Sequence, residues 1–364
     1  MHAQALGSRQ QTAFRQSEKL YSRRDRPPDL RSVIDFGDPG ASSARAAGVC
    51  RIQLLHDLET PPSLSFEAYR HKRPPAFALE THPGLIVIPG ALTDEAQRWL
   101  ARKCLCDCAR PPNRTNLDPF FEMPRESLFT LAYAAASQEA PTTIRSRAET
   151  DSIQEDVTVP HSKTYTRADT PDRLLGHLRW CTLGQQYNWT TKQYDLGTSA
   201  FDPELDALMK SIALAITDPD TSASDRLYAN AFDGRLFSSQ AGIVNYYSER
   251  TTMAGHVDKT EENMDAPLIS LSVGLSCVYL VGGPTRDTSP AAMYLHSGDI
   301  LAMCGESRLA FHGVPRVLSD TCPPYLASPK AGIDDAGVSQ YPEWSHFAAY
   351  LAKHRINLNA RKCS

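Results

Sequence analysis

Residues 293–318 read MYLHSGDILAMCGESRLAFHGVPRVL. Met293 to Leu295 and Ile300 to Met303 are short apolar runs of β character, and His296-Ser297-Gly298-Asp299 between them is a turn sequence. A third apolar run, Leu309 to Phe311, follows Gly305 and leads into His312-Gly313. The same texture continues on either side, in Ile243 to Tyr247, Leu268 to Val273, Cys277 to Val281 and Arg355 to Arg361. Seven short strands with Gly, Pro, Ser and Asp between them predict an antiparallel sandwich or barrel.

Upstream the pattern is mixed. Gly84 to Ile88 reads as a buried strand closed by Pro89-Gly90, and Thr93 opens a helix with Asp94 and Glu95 in its first turn, where they complement the helix dipole. That helix is expected to run to about Cys108. Cys104 and Cys108 then share a face that Cys106 does not, so the cysteine cluster reads as packing rather than metal binding. Asp202-Pro203 caps and starts a second helix, with Leu205, Leu208, Met209, Ile212 and Ile216 on one face. The helices are expected to buttress the outer face of the strand domain. Residues 137–173, rich in Thr, Ser, Glu, Asp and Arg, predict a polar insertion, and Ser319 to Glu343 a second loop.

The chain has 364 residues, 41% hydrophobic and 22% charged, which supplies one large core or two modest ones and excludes disorder throughout. No apolar run approaches the roughly 18 residues of a membrane span, and the first thirty residues hold no hydrophobic segment of the kind that marks a secretory signal. An intracellular protein without membrane contact is expected. Nine cysteines without paired CxxC knuckles indicate reduced thiols. A net charge of -4 argues against nonspecific coating of nucleic acid and leaves room for a local basic groove. Residues 1–31 carry seven basic against three acidic residues, with no acid before Glu18. This is compatible with a mitochondrial transit peptide or a disordered basic arm.

Two stretches carry chemistry. His256-Val257-Asp258 sets an imidazole and a carboxylate at i and i+2, on one side of an extended chain, where they can share a metal. With His312 as third ligand they form a set of two His and one carboxylate that leaves positions open on an octahedral iron. The second stretch, Arg355 to Arg361, alternates throughout, with Arg355, Asn357, Asn359 and Arg361 on one face and Ile356, Leu358 and Ala360 on the other. Two guanidiniums aimed inward need an anion, and a dicarboxylic acid would satisfy both. The alternative is an edge strand with its polar face in water. Asn245 and Tyr247 project together from a strand leading toward the metal segment.

Asn245-Tyr246-Tyr247, His256-Val257-Asp258, Gly282-Gly283 with Arg286, His296-Ser297-Gly298-Asp299, Gly305-Glu306-Ser307-Arg308, His312 and the closing Arg355 to Arg361 segment together resemble the AlkB family of Fe(II)- and 2-oxoglutarate-dependent dioxygenases. Residues 293–318, Leu178 to Trp189 (LRWCTLGQQYNW) and Val33-Ile34-Asp35-Phe36 are similar to its homologue one branch. The likeness covers most of residues 30–364.

The resemblance implies a mainly β fold with flanking helices, a double-stranded β-helix (jelly roll) core with an N-terminal helical extension. The division expected is a basic arm over 1–48, an extension over 49–174, and a dioxygenase domain over 175–364, with nucleotide recognition at about 175–240 and the jelly roll at 241–364. The resemblance also implies that His256, Asp258 and His312 bind Fe(II). Arg355, with Tyr247 and Asn357, would hold the distal carboxylate of 2-oxoglutarate, and Arg361 and Asn245 its metal-chelating end, with one position left for O2. Oxidative demethylation of a base would release formaldehyde. The target base must be flipped out or unpaired, so Tyr187, Trp189 and Tyr194 are candidates for stacking and Arg286 for nucleotide contact. Thr260 and Glu261 fall where the bacterial founder reads the base. His296 and Arg308 are expected to be structural.

The substrate implied first is N1-methyladenine in tRNA, ahead of N6-methyladenine in DNA, with oxidation of 5-methylcytosine in tRNA also suggested. The partner is therefore nucleic acid, tRNA over DNA, acted on by a monomer in mitochondrion or nucleus, with the cytoplasm also open. The reading from another class is a catalytically silent nucleic-acid-binding protein that kept the fold.

Overall fold

A computed structural model describes residues 11–135, 143–149, 167–188, 193–195, 200–219, 232–332, 341 and 343–364. Its strands are β1 (Val49–Ile52), β2 (Ala76–Leu79), β3 (His82–Ile88), β4 (Trp180–Gly184), β5 (Gln186–Asn188), β6 (Gln193–Asp195), β7 (Ala241–Ser248), β8 (Met253–His256), β9 (Leu268–Gly274), β10 (Cys277–Val281), β11 (Ala291–Leu295), β12 (Ile300–Met303), β13 (His312–Val317) and β14 (His354–Arg361). The helices are α1 (Ala13–Ser22), α2 (Ser42–Ala46), α3 (Asp94–Arg102), α4 (Leu128–Ala135), α5 (Pro171–Leu175), α6 (Pro203–Ile216), α7 (Pro324–Ala327) and α8 (Trp344–Leu351). None of the described helices is long and apolar enough to cross a membrane.

Two antiparallel sheets face each other, as the jelly roll requires. The large one runs β1-β2-β3-β12-β9-β14-β7-β4, the small one β11-β10-β13-β8, and β5 with β6 forms a separate hairpin. Alternation along the strands sorts side chains between two cores. In β12, Leu301 and Met303 point between the sheets while Ile300 and Ala302 point to the helices; in β3, Leu85 and Val87 do the former, Ile86 and Ile88 the latter. The helical layer on the far face of the large sheet uses Leu205, Met209 and Ile212 of α6, and Trp344 and Phe347 of α8. Asp202 caps α6 by accepting from the N–H groups of Glu204 and Leu205, each at 3.0 Å.

Several expectations are corrected. The N-terminal region is not only helical buttress, because β1, β2 and β3 extend the large sheet through the β3–β12 pairing. The basic arm is folded from residue 12 onward. Phe14, Tyr21 and Val33 pack with Val278, Leu280 and Ala292 on the outer face of the small sheet. Leu309 to Phe311 is not a strand: Gly305, at φ +47°, opens a single helical turn to Leu309, and the strand begins at His312. Beyond α3 the chain continues to Cys108 as a wider helical turn that buries Cys104 and Cys108 and leaves Cys106 half-buried. Most of the polar insertion, and residues 333–340 of the second loop, lie outside the described residues.

Candidate metal and cosubstrate site

The site lies between the two sheets. His256 ends β8 and pairs across the ladder with His312, which begins β13, while Asp258 follows two residues beyond β8. The ligand atoms of His256, Asp258 and His312 lie within 4.8 Å of one another, and the two imidazole rings are 4.4 Å apart. Each Nδ1 faces a backbone carbonyl, His256 that of Ala254 at 3.0 Å and His312 that of Ala310 at 3.1 Å. A carbonyl can only accept, so Nδ1 carries the proton and Nε2 keeps its lone pair for a metal. Burial, aided by His256, pushes the His312 pKa down to about 4. Burial opposes ionisation of Asp258, yet Arg361, His312 and His256 outweigh it and hold the carboxyl well below the usual range. At neutral pH the cluster therefore offers a carboxylate and a neutral His312 ring, a donor set that fits iron.

Behind Asp258 lies a buried ion cluster. Arg361 approaches the Asp258 carboxylate at 3.3 Å and Glu261 at 2.8 Å, and Arg308 reaches Glu261 at 3.1 Å while donating to the Asp258 carbonyl at 2.7 Å. The Glu261 side chain is fully buried there. The expectation that Glu261 contacts a base is thereby corrected: its charge is committed to two guanidiniums that hold the metal-binding loop. Removing one partner of such a set strands a buried charge.

Asn245, Tyr247, Arg355, Asn357, Asn359 and Arg361 all face one cavity of about 250 Å³ that also contains the three candidate ligands. Arg355 is 1% exposed. It donates to the carbonyls of Leu275 and Leu295, each at 3.1 Å, and to Ser272 Oγ at 2.6 Å, while its Nε has no partner. Among the described residues no carboxylate lies within ion-pair distance of it. A buried cation without a counter-charge is costly, and a bound carboxylate offsets that cost. The Tyr247 hydroxyl, kept protonated by burial, rests on Met253 Sδ at 3.5 Å, a weak acceptor easily exchanged for a carboxylate. Asn357 is held by Ser270 Oγ at 2.7 Å and the Leu271 carbonyl at 3.1 Å. These residues fit a small dianion such as 2-oxoglutarate.

Thr260 lies at the same cavity. Arg286 does not line it: it is half-buried, donates to the Gly255 carbonyl and lies 4.9 Å over the Phe311 ring. Tyr187 and Tyr194 pair across the β5–β6 hairpin, with only their backbones described, and Trp189 lies outside the described residues. His296 is structural, bonded to Ser276 Oγ at 2.8 Å and near Asp35 at 3.4 Å.

Two aromatic cavity residues were missed. Trp180, opposite Asn245 on the paired strand, puts a half-buried indole in the cavity wall, and Tyr279 stacks on His312 with ring centroids 6.0 Å apart. The signal for Trp180 was its place in LRWCTLGQQYNW, nine residues before Trp189.

The family model described as "2OG-Fe(II) oxygenase superfamily" matches residues 128–361. The chain belongs to this superfamily, in its AlkB homologue one branch. It is therefore a dioxygenase that uses Fe(II), 2-oxoglutarate and O2. It is 30% identical to the tRNA demethylase abh1 of Schizosaccharomyces pombe, over 97% of this chain and 96% of the relative. The nucleic acid dioxygenase ALKBH1 of Mus musculus is 32% identical over 96% of this chain and 83% of its own length. The DNA N(6)-methyladenine demethylase ALKBH1A of Arabidopsis thaliana is 28% identical over 96% of both.

Proposed function

We propose that this chain demethylates modified bases in nucleic acid, with N1-methyladenine in tRNA as the favoured substrate. The observation that carries the reading is the half-buried indole of Trp180 in the wall of the cavity that holds the candidate ligands, where an unpaired base can stack. The names of the relatives, a tRNA demethylase among them, support the substrate class.

In this reading His256, Asp258 and His312 hold Fe(II), and Arg355, Tyr247 and Asn357 hold the distal carboxylate of 2-oxoglutarate. Arg361 and Asn245 stand toward its other end. With iron and 2-oxoglutarate bound, the site would use O2 to turn an N-methyl group into N-hydroxymethyl, with 2-oxoglutarate leaving as succinate and CO2, and the N-hydroxymethyl group would lose formaldehyde. The protein's own contributions are electrostatic and geometric. The Ala254 and Ala310 carbonyls fix the two imidazoles in the metal-binding tautomer. Arg361 and Arg308 anchor the loop that bears Asp258. Thr260, at the cavity, is short enough to leave the base edge free. Residues 175–240 supply the recognition surface.

Mass spectrometry of nucleosides in tRNA from cells lacking the protein tests this. N1-methyladenosine should accumulate. An unchanged level alongside a rise in N6-methyladenine of DNA or in 5-methylcytosine of tRNA would replace the substrate while keeping the chemistry.

A further inference from the structure

Among the described residues β8 is the edge of the small sheet, so one side of the strand that ends in His256 has no neighbouring strand there. Gly255, the residue before His256, has its backbone groups satisfied by side chains from elsewhere. Its N–H donates to the Glu18 carboxylate of α1, and its carbonyl accepts from Arg286. Glu18 is only 4% exposed and is held by Arg15 at 3.0 Å.

One turn earlier on the same face of α1, Phe14 is fully buried against glycines. A Cβ added at Gly255 would come to 2.3 Å, and one at Gly282 to 2.9 Å, from atoms of its ring. The Phe14 N–H donates to the Arg286 carbonyl at 3.0 Å, and its ring lies 6.1 Å from that of Phe311, the residue before His312. Arg316 ties down the far end of the helix by donating to the Tyr21 carbonyl at 2.8 Å. One helix thus touches the residues immediately preceding both imidazoles.

We propose that α1 is a positioning element for the metal centre. Glu18, acting through the Gly255 N–H, and Phe14, acting through Phe311, set the backbone on which His256 and His312 are carried. Glu18 substitutes for the missing strand neighbour, and Gly255 and Gly282 form the socket that only a residue without a Cβ leaves open for Phe14. The proposal rests on the metal ligands alone and is independent of which base is the substrate.

Mn(II) affinity, measured by titration on the full chain without nucleic acid, tests it, with 2-oxoglutarate affinity at saturating Mn(II) measured alongside. Glu18→Ala should weaken Mn(II) binding by roughly 10- to 100-fold, as loss of partners that orient metal ligands does. Glu18→Gln, which keeps an acceptor oxygen, should recover most of it. The 2-oxoglutarate affinity should hold in both, because Arg355 belongs to the other sheet. Should Glu18→Ala fail to fold, Phe14→Leu, which keeps an apolar side chain in the socket and loses the ring beside Phe311, decides the matter: weaker Mn(II) binding with retained 2-oxoglutarate affinity is expected. Unchanged Mn(II) affinity in the folded variant would overturn the proposal, as would equal losses in Glu18→Ala and Glu18→Gln or a parallel loss of 2-oxoglutarate affinity.

Discussion

The two sheets hold their functional groups in different mechanical settings. β14 is central in the large sheet, paired along its length with β7 on one side and β9 on the other. Its inward face carries Arg355, Asn357, Asn359 and Arg361, and its outward face is buried under helices. The metal ligands, by contrast, sit where the small sheet is least supported. His256 ends an edge strand, a register shift separates His312 from Val314 in the pairing, and Asp258 lies past the strand end. The anion site is built into a doubly paired strand; the metal site is assembled from strand ends and depends on partners outside its own sheet. Damage to the first should be confined to the cosubstrate, and damage to the second should also follow from changes outside its own sheet.

The largest effect expected is on the metal side. Asp258→Ala removes a candidate ligand and also leaves Arg361 with one carboxylate fewer. Iron content after desalting should fall to background and turnover below detection, with circular dichroism unchanged. Retained iron and full turnover would place the metal elsewhere.

Next comes the anion side. Arg355→Ala should raise the 2-oxoglutarate KM by the loss of about 2–5 kcal/mol expected when a buried charge pair loses one member. At about 1.4 kcal/mol per factor of ten, this ranges from tens to thousands of fold. Mn(II) affinity should change little, since Arg355 contacts none of the three ligands. A comparable loss of metal affinity would break the division between the sheets.

Trp180→Ala should weaken binding of a methylated RNA loop by the ~1–3 kcal/mol typical of a base stacked on an aromatic side chain, and leave the 2-oxoglutarate KM alone. The smallest expected effect is on acid stability. The His312 pKa lies at about 4 in the folded state against an ordinary 6.5, so between these values an unfolded chain takes up a proton that the folded metal-free protein refuses. Stability should therefore decline as pH falls through that window. The drop in thermal midpoint from pH 7 to pH 5 should be smaller in His312→Asn, and equal drops would assign the proton-sensitive group to another residue.

The legible parts of the sequence were those whose signal is local. Strict alternation over 355–361 announces an inward polar face because a strand has a period of two residues, and β14 presents that face to the cavity. Glu261 was misread because its partners, Arg308 and Arg361, lie far along the chain, the latter 100 residues away, and no local pattern encodes that meeting. The run Leu309 to Phe311 has strand composition, but the positive φ at Gly305 starts a turn, which moves the strand onset to His312. The docking of α1 was hidden by its charge. Phe14, Glu18 and Tyr21 follow helical spacing on one buried face, yet the surrounding arginines made the segment read as a solvated arm.

In the proposed reaction, oxidation of the cosubstrate is tied to demethylation of a base. The most direct measurement is to incubate the protein with Fe(II), 2-oxoglutarate, O2 and an RNA stem-loop carrying N1-methyladenine in its loop, and to quantify succinate and unmethylated adenosine in one sample. Equal amounts of the two products are predicted, with much slower conversion of the same base in an uninterrupted duplex. Succinate formed without any adenosine product, or no succinate at all, would contradict it.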